Sequence, residues 1–218
     1  KLGAVLKARR KEAVIATKSM ARTGEAMAAD IKKSLETMGL DYIDLYQLHN
    51  VKSKRELDRV LSPDGALAAL KEAKKEGLIR HIGITGHIKD FLSQTLVLEE
   101  IETVQFPFNA VETVGVQELL KQAGAMGKGV IVMKPLAGGA LRNGNLALRY
   151  ILEHDVTTVI PGMDSLQQVE ENAGVGNAPL TLTAAERYAL DEEVKTLGGA
   201  FCRRCEYCKP CGQNIDIP

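Results

Sequence analysis

The sequence carries no surplus of charge of either sign: 28 lysines and arginines stand against 28 aspartates and glutamates in 218 residues. That balance argues against a nucleic-acid partner or an anionic membrane surface, since both reward a basic excess. No apolar run approaches the roughly 20 residues that a bilayer-crossing helix needs, and no signal-peptide pattern is present. The expectation is a cytoplasmic protein with neither nucleic acid nor membrane as partner. Also missing is any Gly-x-Gly-x-x-Gly after an early strand, the mark of an open dinucleotide-binding sheet. Cysteine is absent everywhere except one decapeptide near the C-terminus.

What is present is ordinary globular material, 45% hydrophobic and 26% charged, long enough to bury a sizeable core in one domain with a short appendage. Lys1 opens the chain inside a stretch that reads as helix, Lys1 to Arg10, and Pro218 closes it just past the cysteines. Both ends read as cut from a longer protein; a trimmed tag or processed precursor is the alternative.

Short apolar runs recur at Ala13–Thr17, Tyr42–Leu48, His81–Thr85, Thr103–Phe106, Val130–Met133 and Thr157–Ile160. Their β-branched and large apolar residues alternate little, as in strands buried on both faces. Helical segments with clear punctuation lie between them. Thr23 caps a helix running to about Met38 and ending at Gly39; Ser62 with Pro63 opens another, closed by Gly77. Thr183 with Glu186 forms a capping box for the last long helix, and Ser165 with Gln168 repeats the pattern. Strand-then-helix repetition implies parallel strands joined by right-handed crossovers. Polar residues follow many of the strands (Lys18, His49, Thr85, Gln105, Lys134 and Pro161-Gly162), and barrels build active sites from that rim. The expected fold is therefore α/β, a (β/α)8 TIM-type barrel with six of eight strands present. Residues 1–199 form this barrel and 200–218 a cysteine-rich tail. Six strands leave two open edges, which self-association would cover.

Lys18, at the end of Val-Ile-Ala-Thr-Lys, is expected to be partly desolvated and to prefer an acidic partner; the bland reading is a lysine reaching from the rim into water. His49 ends Asp41-Tyr-Ile-Asp-Leu-Tyr-Gln-Leu-His, where an imidazole can move a proton or orient a carbonyl, or simply fill the core. Two such residues on neighbouring rim positions favour a site.

Val-Ile-Ala-Thr-Lys18 and Leu35-Glu-Thr-Met-Gly-Leu-Asp-Tyr-Ile-Asp-Leu-Tyr-Gln-Leu-His49 resemble the aldo-keto reductases. So do Gly83-Ile-Thr-Gly86, Val104-Gln-Phe-Pro-Phe-Asn109, Lys134-Pro-Leu-Ala-Gly-Gly139, Val159-Ile-Pro-Gly162 and Gln168-Val-Glu-Glu-Asn172. The resemblance covers nearly the whole chain in order. It implies hydride transfer between NAD(P)H and a small carbonyl substrate, with Lys18 and His49 as the catalytic lysine and histidine. The family's proton-donating tyrosine and its aspartate belong to a segment ahead of Lys1, and Tyr42 and Tyr46 do not match the acid. The alternative is a non-catalytic nicotinamide-binding or electron-transfer module; a barrel enzyme of another class is a third reading.

By the same resemblance Gln105 contacts the nicotinamide carboxamide, and Met133 stands where many relatives stack an aromatic ring. Thr85 and Gly86 fall where a serine and an asparagine usually bind that carboxamide. Lys134 and Leu136 through Gly138 and Gly139 match the loop along the pyrophosphate, where glycines allow close backbone approach. Glu171 and Asn172 match the residues that hold adenine. NADPH-specific relatives carry basic residues in the stretch matching Pro161 to Gln168, which here has no lysine or arginine. That favours NADH, with Lys134 or Arg142 able to compensate.

Cys202, Cys205, Cys208 and Cys211 make a C-x2-C-x2-C-x2-C run. In a cytosolic chain this clustering points to metal ligation rather than disulfides. Zinc sites usually separate two ligand pairs by a longer insert, whereas this spacing resembles a ferredoxin loop around a [4Fe–4S] cluster, so iron–sulfur is favoured over zinc. Some aldo-keto reductases carry such a tail, and Phe201 to Pro218 resembles its first half, with Gly212 where proline usually follows the fourth cysteine. A cluster implies a redox partner. His81, His87 and His154 show no metal-ligand spacing, and Lys52 to Arg59 reads as a solvated loop or helix.

Overall fold

The computed structural model describes residues 2–177, 179–197 and 213. Its six strands are β1 (Ala16–Ser19), β2 (Ile43–Leu48), β3 (Ile79–Thr85), β4 (Thr103–Pro107), β5 (Gly129–Met133) and β6 (Thr158–Ile160). They stand in the sheet in sequence order, β1-β2-β3-β4-β5-β6. β1 through β4 pair in parallel. A doubly wound sheet reverses its strand order at a switch point; sequential order without reversal is that of a barrel wall. The chain divides into two compact units, residues 1–106 with 115–131, and residues 107–114 with 132–218.

In the first unit the sheet is backed by helices α2 (Gly24–Met38), α3 (Lys54–Leu61), α4 (Ala66–Lys75), α5 (Lys89–Thr95) and α6 (Val116–Ala125), preceded by α1 (Leu2–Leu6). Thr23 Oγ1 accepts from the Ala26 amide at 3.3 Å, and α2 ends where Gly39 turns left-handed at φ 64°. Between those ends Met27 and Ile31, one turn apart, are fully buried. Gly77, at φ 79°, likewise ends the helix before β3.

Three expectations are corrected here. The first helix stops at Leu6, and Arg10 sits in a short 3-10 turn. Its guanidinium is drawn to the Ala13 and Tyr42 carbonyls and to Asp44 Oδ2 at 2.6 Å, and lies 3.7 Å from the Tyr42 ring. Ser62 does not open α4 but ends α3, its hydroxyl donating to the Arg59 carbonyl at 2.8 Å. Gly65 caps α4 instead, at a point where any Cβ would strike the Val60 carbonyl. The strands are also not uniformly buried. β2 is buried throughout, but β1 and β6, first and last in the order, are largely exposed.

Exposed β1 is pinned at its start by Asp44. That carboxylate accepts from the Ile15 amide at 2.8 Å and from Arg80 at 3.1 Å as well as from Arg10. Burial pushes the Asp44 carboxyl up, and the Ile15 amide with Arg10 outweighs it, leaving the group below its ordinary range.

The second unit holds α7 (Gly144–Leu152), α8 (Leu166–Gly174) and α9 (Ala184–Leu197). Its core is Ala137, Leu141, Leu146, Ala147, Leu182 and Leu190. The capping box at α9 closes, Glu186 accepting from the Thr183 amide at 2.8 Å while Thr183 Oγ1 accepts from the Glu186 amide at 3.3 Å. At α8 only half of it forms, Ser165 Oγ accepting from the Gln168 amide at 3.2 Å while Gln168 Oε1 takes the Asp164 amide. Arg149, 7% exposed, joins α7 to this first turn through Glu186 at 2.6 Å. His154 is half-buried and has its partners within this unit. Its Nδ1 lies 2.9 Å from the Tyr150 carbonyl and its ring meets Phe108 edge-on at 4.9 Å. Among the described residues no helix is long and apolar enough to cross a membrane.

Candidate active site

Parallel register decides which side chains share a face, because residues aligned across neighbouring strands point the same way. Lys18 aligns with Gln47, Gln47 with Gly83, Gly83 with Thr103, and two residues further on Thr85 aligns with Gln105. The candidate residues of β1, β3 and β4 therefore lie on one face, and Gln47 lies among them. His49 follows β2 directly, its amide donating to the Ser19 carbonyl at 2.9 Å.

Lys18 and His49 line a common cleft of about 440 Å³, together with Ser19, Asp30, Ser34 and Tyr46. Ser19 Oγ donates to Asp30 on the α2 side of this cleft. Lys18 departs from expectation: it is exposed and has no hydrogen bond or ion pair among the described residues. Its strand, β1, is largely exposed, and the lysine extends from it toward water.

His49 is half-buried, and its imidazole pKa lies below the ordinary histidine value. Burial is the largest cause, followed by the charges of Lys18, Arg22 and His87. A histidine so placed is neutral at neutral pH, with one N–H to donate and one lone pair to accept.

Around it the strand ends are tied by polar side chains. Thr85, 1% exposed, accepts from the Asn50 amide at 2.9 Å. Gln105, 3% exposed, accepts from Gln47 Nε2 at 3.1 Å. Gln47 Oε1 and Thr103 Oγ1 are buried without a hydrogen-bond partner. Gly83 lies between them, leaving the space both occupy.

In the second unit the segment after β5 is unusual backbone. Lys134 and Ala137 take positive φ (54° and 50°), as do Gly138 and Gly139 (72° and 85°). Left-handed non-glycine residues are costly and persist only when surroundings hold them. Asn109, fully buried, does so. Its Nδ2 donates to the Lys134 carbonyl at 3.0 Å, while Oδ1 accepts from the Val111 and Glu112 amides at 3.0 and 2.9 Å. The amides of Ala137 and Gly139 close turns onto Lys134 and Leu136. Those of Gly138 and Ala140 have no partner among the described residues, an arrangement that suits an anion.

Glu171 and Asn172 lie on α8. Glu171 is exposed and accepts from Gln167 at 2.7 Å, and Asn172 is half-buried. Asp164 stands exposed just before that helix, its amide donating to Gln168 Oε1 at 2.8 Å. Met133 is half-buried at the end of β5. Cys202, Cys205, Cys208 and Cys211 lie outside the described residues. Among the described residues no cluster of three metal-ligating side chains occurs.

Sequence reasoning did not single out Gln47, Arg22 or Asn109 as site residues. Gln47 had a visible signal, an amide between Tyr46 and Leu48 in a strand buried throughout. Arg22 and Asn109 act through backbone carbonyls distant in sequence, which leave no local pattern.

The aldo/keto reductase family profile matches residues 1–146, and the chain belongs to that family. It is 28% identical to the L-galactose dehydrogenase of Arabidopsis thaliana, over 78% of this chain and 62% of that protein. It is 29% identical to the NADH-specific methylglyoxal reductase of Escherichia coli strain K12, over 58% of this chain and 38% of that one. Among solved structures, the holo form of an aldo-keto reductase from Bacillus halodurans matches with a TM-score of 0.73 at 27% identity, covering 93% of this chain and 78% of that one. The chain spans less than two thirds of the length of the Arabidopsis relative.

Proposed function

We propose that the chain forms the cofactor-binding and carbonyl-positioning part of an NAD(P)H-dependent aldo-keto reductase acting on a small carbonyl compound. The observation that carries this reading is His49, held neutral at a strand end and opening with Lys18 on one cleft. A bound reduced nicotinamide would supply a hydride for the carbonyl carbon, with a proton going to the oxygen to give the alcohol and the oxidised cofactor. His49 donates its N–H to the carbonyl oxygen and orients it. Lys18 lowers the pKa of the proton donor by its charge.

That donor is neither Tyr42, which precedes β2, nor Tyr46, which lines the cleft. Tyr42 lies against Arg10 and Arg80. Tyr46 is buried, its hydroxyl is 3.2 Å from Ser34 Oγ, and burial pushes its pKa up. The family resemblance places the donor tyrosine and its aspartate ahead of Lys1.

Thr85 and Gln105 hold the carboxamide in this reading, with Met133 against the ring. The free amides of Gly138 and Ala140 and the charge of Lys134 receive phosphate. Glu171 and Asn172 take the adenine end. Asp164, with no lysine or arginine between Pro161 and Gln168, repels a 2′-phosphate, so NADH is preferred. The specificity stated in the name of the Escherichia coli relative accords with that preference.

NADH oxidation by the full-length protein with a panel of aldehydes and ketones tests the reading. Turnover is expected, with kcat falling about 100-fold or more in His49→Asn and Lys18→Met. NADH binding without turnover on any carbonyl would instead assign the chain to a nicotinamide-binding module without catalysis.

We further propose that Cys202, Cys205, Cys208 and Cys211 ligate a [4Fe–4S] cluster that exchanges electrons with a redox partner. Iron and acid-labile sulfide in anaerobically purified protein, with an EPR signal on reduction, are expected. Stoichiometric zinc would replace this assignment.

A further inference from the structure

The turn after β2 must present His49 while the next residue, Asn50, runs left-handed at φ 52°. A non-glycine residue adopts that conformation only when neighbours hold it. Two side chains do so. Thr85 Oγ1 takes the Asn50 amide at 2.9 Å. Arg22 takes both carbonyls, Nη2 donating to His49 O at 2.9 Å and to Asn50 O at 3.1 Å.

Arg22 precedes the cap of α2, and its side chain is only 17% exposed. Its other donors are also engaged. Nη1 reaches the Met20 and Ala21 carbonyls at 3.0 and 3.4 Å, and Nε and Nη2 reach Glu56 Oε2 at 3.3 and 2.9 Å. One planar fork thus ties the end of β1, the end of β2 and the first turn of α3. A lysine, with three donors on one atom, cannot reproduce it.

Glu56 shows that this tie takes precedence over local capping. Ser53-Lys-Arg-Glu56 has capping-box spacing, and Ser53 Oγ accepts from the Glu56 amide at 3.2 Å. Yet the Glu56 carboxylate closes on Arg22, and no bond from it to the Ser53 amide occurs among the described residues.

We propose that Arg22, anchored by Glu56, is a positioning residue for His49. It fixes the backbone that aims the imidazole and helps keep the ring neutral. The inference rests on the reading of His49 as the group that orients the carbonyl. The charges facing His49 are Lys18 on β1, Arg22 in the turn after β1 and His87 in the loop after β3, with the Glu56 carboxylate partly compensating Arg22.

The test combines NMR titration of the histidine ring protons in the full chain, with His49→Asn for assignment, and steady-state kinetics of carbonyl reduction. Arg22→Gln should move the His49 titration upward and cut kcat about 10- to 100-fold, the scale of a misplaced catalytic group. Arg22→Lys should keep the titration near wild type yet leave kcat low, because charge is retained and the fork is lost. Glu56→Gln should move the titration downward, since Arg22 then stands uncompensated. An unchanged His49 titration in folded Arg22→Gln and Glu56→Gln, or full kcat in Arg22→Lys, overturns the proposal. The titration reads out without turnover. Shifts as expected in a protein that reduces no carbonyl would support the role of Arg22 while refuting the proposed reaction.

Discussion

Gly83 is the residue whose replacement speaks most directly to how the site face is packed. It aligns with Gln47 on one side and Thr103 on the other. A Cβ there would fall inside the contact radius of Thr103 Oγ1 and within 3.1 Å of Gln47 Cγ and 3.2 Å of Gln47 Oε1. Thr103 Oγ1 is by far the nearest obstacle and takes the larger part of the clash, while Gln47, held by its bond to Gln105, has to give by only a few tenths of an ångström. Overpacking of this kind costs about 1–3 kcal/mol. Removing a strand glycine returns about 0.5–1 kcal/mol of backbone entropy. At mid-range values the net loss for Gly83→Ala is about 1 kcal/mol, a fall in Tm of roughly 2–4 °C for a chain of this size. Thermal unfolding followed by circular dichroism measures it. Thr103→Ala alone should cost little, because the hydroxyl it removes is buried without a partner. The pair Gly83→Ala with Thr103→Ala should recover most of the loss. A Gly83→Ala variant as stable as wild type, or a double variant that merely sums the single losses, refutes this account of the packing.

Asn109→Ala should destabilise by about 1–2 kcal/mol in urea titration, since it takes the side-chain acceptor from the half-buried Val111 amide while Glu112 keeps the Asn109 carbonyl, and it should weaken NADH binding by releasing the Lys134 turn. Glu186 is held at about 2, first by Arg149 and then by the Thr183 amide and hydroxyl. Its contribution is full above the ordinary glutamate value of 4.5 and is lost as pH falls toward 2, so Glu186→Gln should flatten the acid limb of a stability–pH profile in that window. Gly39→Ala, placing a side chain at φ 64°, should cost about 1–2 kcal/mol in the same urea titration.

The strands were legible because apolar runs such as Val104–Phe106 and Val130–Met133 have few other uses, and the helix caps at Thr23, Thr183 and Ser165 because capping is local. Burial was less legible. β1, Ala-Thr-Lys-Ser, stands first in the strand order and is largely exposed, which the apolar run Ala13–Thr17 does not foretell. Lys18, on the same strand, stands exposed rather than partly desolvated. Ser62 misled because Ser-Pro suits a helix start, while its hydroxyl was better used by the Arg59 carbonyl. Arg10 left the first helix for Asp44, 34 positions away in sequence. No window-based reading can weigh such a competition.

The same distinction separates the parts of the candidate site. Lys18, His49 and the Lys134–Gly139 segment carry residue types whose chemistry can be named from sequence. Gln47, Arg22 and Asn109 acquire meaning only from what stands opposite them. Gln47 and Thr103 also leave buried polar atoms unpaired on the site face, which an apolar pair would not do. Apolar residues of similar shape would cost the sheet little or nothing there. Polar groups retained at that cost, beside a glycine that keeps room for them and in contact with Gln105, are better explained by a ligand-binding face than by the stability of the sheet.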